Sequence, residues 1–132
     1  MGYDLHIVRT RQWVDADQRP ITQDDVDTLI AADPELSWSK TDYLEATNPG
    51  TGDVIRITSR NQAIEWNGTS VFWWDRNGIT CKNPHEREQM KMIRMANMLG
   101  AMVVGDEDEL YTIRKRFFRR DLIVTEPWTE PS

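Results

Sequence analysis

The sequence predicts an α+β fold in which an antiparallel sheet carries two helices. Two Asn-Gly pairs, at 67–68 and 77–78, each stand between β-prone segments, and Asn-Gly is the strongest short signal of a β-hairpin. Apolar residues repeat with helical spacing in two other segments, each preceded by a capping signal. The 132 residues include six tryptophans and six methionines, enough bulky material for one core. We therefore expect a single domain over 1–125 and a frayed, Pro-rich tail over 126–132.

A three-stranded meander built on the two Asn-Gly turns is the predicted centre of the sheet. Type I′ turns of two residues would join 62–66 to 69–75, and 69–75 to a strand that begins at Ile79. This register puts four side chains on the predicted core face: Ile64, Trp66, Val71 and Trp73. The opposite face is either covered or kept for a partner, and it carries Ala63, Phe72, Trp74, Ile79 and Cys81. Residue patterns predict further strands at 3–8, 43–48, 54–59, 101–104 and 109–113.

The shorter helix is predicted to begin near Gln23. Thr22 has the preferred N-cap chemistry, and Asp25 stands three positions later, where it can complete a capping box. Pro34 limits the other end, because the residue before a proline disfavours helical backbone. We expect this helix at an edge of the sheet or on the face opposite the longer helix.

The longer helix is predicted to begin at Pro84, with Asn83 as N-cap and Glu86 at the third helical position. Gly100 supplies the stop. One helical face collects the residues expected to cover the core face of the meander: Gln89, Met92, Ile93, Met95, Ala96 and Leu99.

The sequence lacks the motifs of the common catalytic sites. It has one cysteine and two histidines, and neither histidine stands in a metal-ligand spacing. We therefore expect no enzymatic activity, no cofactor and no metal. An enzymatic or small-molecule-binding domain is kept as an alternative, and it would need a deep pocket around His6 or His85.

The formal net charge of −6 repels nucleic acid and anionic membranes and attracts a basic partner. We expect partner contacts from carboxylates of the first helix and of the run 106–109, together with one aromatic anchor from the second meander face. These residues are Asp24, Asp25, Asp27, Asp106, Glu107, Asp108, Glu109 and Trp74. For the run 106–109, a solvated turn is the simpler alternative.

The segment 114–120 holds five basic residues around Phe117 and Phe118. In one interpretation its arginines pair with the acidic segments while the phenylalanines pack. In the other, the protein binds nucleic acid, since cations hold phosphates and aromatic rings stack on bases. The acidic balance of the whole chain favours the first interpretation.

Several phrases resemble a group of small bacterial cytoplasmic proteins: MGYDLHI at 1–7, ADPEL at 32–36, the Trp-rich meander, and MLGAMVVGDEDELY at 98–111. Some proteins of this group are similar to immunity proteins of contact-dependent or secreted toxin systems. The resemblance implies a protein that neutralises a cognate toxin domain in the bacterial cytoplasm, by occluding its active site or a nearby surface. A nuclease toxin fits the acidic composition, because the substrate-binding face of a nuclease is basic.

Overall fold

The computed structural model describes residues 3–39, 43–58, 62–75 and 77–129. The strands are β1 (Asp4–Val8), β2 (Leu36–Trp38), β3 (Tyr43–Thr47), β4 (Val54–Thr58), β5 (Gln62–Trp66), β6 (Thr69–Trp74), β7 (Ile79–Lys82), β8 (Met102–Gly105), β9 (Leu110–Arg116) and β10 (Arg119–Glu126). The helices are α1 (Gln23–Ala32) and α2 (Glu86–Leu99), and a 3₁₀ helix spans Trp13–Gln18. The α+β class predicted from the sequence is confirmed.

Eight strands form one antiparallel sheet in the order β10-β9-β8-β1-β7-β6-β5-β2, and β3 pairs with β4 separately. The first strand lies in the interior of this sheet, between β7 and β8. Its side chains alternate between the two faces of the sheet as predicted, since Leu5 and Ile7 are buried in the core while His6 points to the other face. Strands β2 and β10 were not predicted, because β2 has only three residues and the basic residues of β10 obscure its apolar alternation.

A β-bulge corrects the predicted faces of the Trp-rich strands. Trp66 pairs with Thr69 as expected, but the register shifts after Glu65, so Ile64 lies opposite Phe72 rather than Val71. The extra residue on β6 reverses the facing of every later side chain on that strand. Phe72 is therefore fully buried, whereas Trp73, predicted to be core, is 37% exposed.

Only the first Asn-Gly pair has the backbone of a type I′ turn, with φ of 51° at Asn67 and 85° at Gly68. The second pair differs, because Gly78 lacks the positive φ that a type I′ turn requires, so the predicted I′ turn is wrong there. Asp75 organises this turn instead, since its Oδ1 accepts the backbone N–H groups of Asn77 and Gly78 at 3.2 and 2.9 Å.

The start of α1 follows the prediction, because Thr22 and Asp25 form a capping box. The start of α2 does not, because the helix begins at Glu86 with His85 as N-cap. Asn83 instead has φ of 48°, and its backbone N–H donates to the Tyr3 carbonyl. A residue in the left-handed region cannot take the extended N-cap backbone, so the sheet contact moves the helix start downstream.

Both helices bury apolar residues in one core cluster, and α1 contacts both α2 and the edge strand β2. The predicted apolar face of α2 is confirmed by the burial of Met92, Ile93, Met95, Ala96 and Leu99. Each of the larger side chains contributes roughly 1.5–3 kcal/mol by leaving water. They share the cluster with Ile64, which was predicted to be core, and with Phe72 and Trp74, which were not. Trp66 and Val71 of the predicted set are partly buried against the cluster, and Trp73 is the predicted core residue that is exposed. Within the described ranges, neither helix has the length and apolarity to cross a bilayer.

Candidate functional site

The acidic run 106–109 joins β8 to β9, and three of its carboxylates bind the N-terminal segment, those of Asp106, Asp108 and Glu109. Asp106 Oδ1 lies 2.8 Å from His6 Nε2, and Oδ2 accepts the backbone N–H of Asp4 at 3.1 Å. Asp108 Oδ1 accepts the backbone N–H of Trp13 at 3.0 Å. These predicted partner-binding acids therefore have structural contacts of their own, which leave them less free for a partner.

Gly105 shapes the same turn by leaving room for Glu109. A Cβ atom on Gly105 would overlap the Glu109 carboxylate and lie 2.7 Å from the Tyr3 hydroxyl oxygen. The Tyr3 hydroxyl donates to Glu109, and burial together with this bond raises the pKa of Tyr3 above its usual value. The hydroxyl is thus a stable donor at neutral pH. Of the four acids, Asp106 and Glu107 are exposed, and Asp108 and Glu109 are half-buried.

His6 is engaged on both ring nitrogens. Nδ1 lies 3.1 Å from Thr80 Oγ1, Nε2 faces Asp106, and the ring stacks on Trp13 with centroids 4.7 Å apart. The indole N–H of Trp13 donates to the Asp106 carbonyl at 3.1 Å. An Asp, His and Thr series has the composition of a proton relay. Because both nitrogens and one ring face are already occupied, the imidazole here acts as a link between β1, β7 and the 3₁₀ helix.

A cleft of about 250 Å³ lies beside this stack, between the 3₁₀ helix and the loop before β7. Trp13 and Val14, which are 37% and 63% exposed, give it an apolar rim. Asp17 and Asp75 also line the cleft, and both are exposed. The result is an acidic depression with an aromatic wall, next to the predicted residue Asp106.

The predicted acids of the first helix do not line the cleft. Two of them accept hydrogen bonds within the fold, and the third is exposed. Asp25 completes the capping box and accepts a hydrogen bond from Arg9 Nη1 at 2.9 Å; the Thr22 and Arg9 bonds lower its pKa. Asp27 accepts the indole N–H of Trp38 at 2.7 Å. Asp24 is exposed, as the prediction required.

Trp74, the predicted aromatic anchor, is buried. Only 9% of it is exposed, and its indole N–H donates to the Ile21 carbonyl at 2.7 Å. The β-bulge turns it inward and turns Trp73 outward, so Trp74 offers a partner little surface.

The basic segment 114–120 forms the tip of the β9–β10 hairpin. Phe117 and Phe118 occupy the turn at 87% and 95% exposure, so the expectation that they pack on the core is wrong. Arg120 pairs with Glu86 of α2 rather than with the predicted acidic segments. The turn requires a left-handed residue, and Phe118 takes that conformation with φ of 62°.

Cys81 is the single cysteine of the chain and is buried beside the core. Burial, with the nearby carboxylates of Glu88 and Asp4, raises the pKa of its thiol to about 12, so the thiolate is scarce at neutral pH. Among the residues that the structure describes, no group of three or more histidine, cysteine or acidic side chains is arranged to hold a metal ion.

Comparison with known proteins adds no assignment: the chain matches no protein-family model, no curated protein and no solved structure. The immunity-protein resemblance therefore stays a prediction. The residues that sequence reasoning missed are Trp13, Val14, Asp17 and Asp75. The local signal for the first three is the segment WVDAD at 13–17, in which two apolar residues precede acids without helical or strand periodicity. Asp75 has no such signal.

Proposed function

We propose that this protein binds and neutralises a cognate bacterial toxin domain by occluding its active site or a nearby surface. The observation that carries the proposal is the acidic cleft with its exposed rim of Trp13 and Val14. A tryptophan at an exposed site is a typical anchor of a protein interface, and Val14 lies beside it. The partner we infer has a basic surface, as a nuclease toxin does.

The chemistry of the cleft suits a lysine or arginine side chain of that partner. Asp17 and Asp75 supply negative charge, and the indole of Trp13 supplies a surface on which a cation can stack. The volume of about 250 Å³ is below the roughly 300–1,000 Å³ usual for small-molecule sites. A single inserted side chain therefore fits better than a substrate, which favours a binding protein over an enzyme.

The charge distribution supports a basic partner. The net charge of −6 includes +5 from the segment 114–120, so the rest of the chain carries −11. A field of this sign accelerates encounters with a basic protein and is weakened by salt. Exposed acids away from the cleft, such as Asp24 and Glu107, contribute to this attraction without needing direct contact. As part of the proposal, we place the protein in the bacterial cytoplasm, where a nuclease toxin would act.

A matched pair of substitutions tests the cleft. Val14 and Val54 are 63% and 58% exposed, and a lysine at either position changes the net charge equally. The toxin domain encoded by the adjacent gene serves as the partner, with association and dissociation followed by surface plasmon resonance. We expect Val14→Lys to weaken the complex by at least about 30-fold, because a lysine beside the Trp13 anchor repels a basic partner, and Val54→Lys to change it only slightly.

The outcomes separate the parts of the proposal. Association that slows as salt rises supports electrostatic capture, and a rate independent of salt contradicts it. Equal effects of the two lysine substitutions would refute the cleft as the interface. Failure of the adjacent gene product to form any complex would refute the function itself.

A further inference from the structure

The tip of the β9–β10 hairpin is an exposed basic and aromatic element that the toxin-binding proposal leaves unused. Ile113 and Ile123 are the last paired residues of the hairpin that pack on the core. Phe117 lies four residues beyond Ile113, which places the turn about 13 Å farther out. The rings of Phe117 and Phe118 contact each other with centroids 4.4 Å apart and an interplanar angle of 58°.

Three arginines share one face of this ribbon. Arg116 lies directly opposite Arg119, and Arg114 is two residues before Arg116, so all three side chains leave the same side. Like charges directly opposite each other destabilise a strand pair. The Nε of Arg116 donates to the Arg120 carbonyl at 2.9 Å, which holds that guanidinium across the tip. This arrangement is unfavourable for the isolated fold and favourable for holding a polyanion.

The acidic remainder of the molecule offsets only part of this charge. At physiological ionic strength the screening length is about 8 Å, so carboxylates farther than that from the turn contribute little there. Within the described part of the chain, Arg120 is the cation of the tip that has a carboxylate partner, Glu86. The other cations of the tip attract an anionic ligand that approaches the turn, and they stand at 114, 115, 116 and 119.

We infer that this hairpin tip binds single-stranded nucleic acid. Guanidinium groups pair with phosphates in a planar, two-bond geometry, and four of the five cations in 114–120 are arginines. The two exposed rings provide faces on which unpaired bases stack. Since the tip is narrow, it holds a few nucleotides and reads no sequence.

A single strand fits the tip better than an anionic membrane does. A membrane is a plane, so docking of the tip would bring the −11 remainder of the chain toward a surface of the same sign. A flexible strand can be held at the tip alone. The apolar part of the tip is also limited to Phe117 and Phe118, flanked on both sides by arginine.

Fluorescence anisotropy with a labelled oligothymidylate at low salt tests the inference on the full-length protein. The aromatic variant carries Phe117→Ala and Phe118→Ala, and its matched control carries the exposed apolar changes Val54→Ala and Met98→Ala. We expect the aromatic variant to bind at least about tenfold more weakly than wild type, from the loss of base stacking, and the control to bind as wild type.

The arginine variant carries glutamine at 114, 116 and 119, and its control carries glutamine at the exposed positions Arg19, Lys82 and Arg94. Binding to single strands weakens with salt in proportion to the phosphates contacted, so three lost contacts flatten the logarithmic salt slope by about 2. The control should keep the wild-type slope. Because the arginines repel one another, we expect the arginine variant to unfold at or above the wild-type temperature, which separates lost binding from lost folding.

The inference would be overturned if the wild-type protein did not bind oligothymidylate at low salt, or if the tip variants and their controls lost equal affinity for it. It would also be overturned if the protein bound phosphatidylserine vesicles through Phe117 and Phe118 but did not bind the oligonucleotide. The tip lies outside the residues that line the acidic cleft. Toxin binding and oligonucleotide binding can therefore fail independently.

Discussion

Replacement of Lys91 by methionine should destabilise the fold, because this α2 residue is a charged group within the core. It is only 7% exposed, and its Nζ donates to Asp33 Oδ2 at 2.6 Å and to Glu35 Oε1 at 2.8 Å. The ammonium also lies 5.6 Å from the centre of the Trp66 ring. Methionine keeps the stem volume and removes the charge.

The magnitude follows from what the two carboxylates lose. Breaking a buried ion pair costs about 3–5 kcal/mol, since one charge stays buried and unpaired. Here Asp33 is 16% exposed and Glu35 is 52% exposed, so water replaces part of the lost interaction. We expect Lys91→Met to lower the free energy of unfolding by about 2–3 kcal/mol, or the midpoint by roughly 6–12 °C for a chain of this size.

The pKa shifts of the three groups determine how this contribution to the free energy of unfolding changes with pH. Burial acts to raise the pKa of Asp33, but the hydrogen bonds from Lys91 and the Glu35 backbone outweigh it, and the folded-state pKa is lowered. The Lys91 bond also lowers the pKa of Glu35, and the pKa of Lys91 is raised despite its burial. A lowered carboxyl pKa stabilises the fold above the unfolded value of about 4, and this contribution disappears as the pH falls through the folded value.

Urea unfolding of wild type and Lys91→Met, followed by tryptophan fluorescence, measures the difference. The difference should be constant from about pH 5 to pH 9 and shrink below pH 4, where the carboxylates of both proteins become protonated. Arg94→Met is the control, because Arg94 is an exposed cation of the same helix. A difference below about 0.5 kcal/mol, or one that grows toward low pH, would refute the reasoning.

Other positions give sharp expectations for the same unfolding assay and for thiol labelling. Gly78→Ala should cost more than 1 kcal/mol, because its Cβ atom would lie 2.6 Å from the Ile7 carbonyl oxygen; an unchanged midpoint would show that the turn relaxes freely. Asp108→Ala should destabilise by about 1–3 kcal/mol, because Asp108 anchors the 3₁₀ helix, whereas Glu107→Ala at an exposed position should stay within about 0.5 kcal/mol; equal effects would contradict the structural role of Asp108. The Cys81 thiol should resist iodoacetamide in the folded protein and react after unfolding, since burial raises its pKa to about 12; rapid labelling of the native protein would contradict its placement.

Elements with strong local chemistry were predictable from the sequence. The Thr22 and Asp25 capping box, the turn at Asn67 and the stop at Gly100 all form as expected, because each depends on a few adjacent residues. The start of α2 shows the limit of this reasoning. Asn83 and Pro84 have helix-start chemistry, yet the contact of Asn83 with Tyr3 overrides it.

The candidate site was less predictable than the fold, because burial of a side chain depends on distant partners. One additional residue in β6 exchanges the environments of Trp73 and Trp74, and the local sequence does not reveal the bulge. The acids of the run 106–109 were identified as exposed contacts, but their principal partners are about a hundred residues earlier in the chain.

The sequence alone determined the α+β class, the capped first helix, the apolar face of the second helix and the acidic balance, since these depend on composition and on spacings of a few residues. Only the tertiary structure decided which tryptophans are open, which acids are engaged, that Trp13 and Val14 border a cleft, and that two phenylalanines stand exposed on a basic tip. The physical reason is that strand register and long-range hydrogen bonds determine whether each side chain is buried or exposed to water. Both depend on residues that are far apart in the chain.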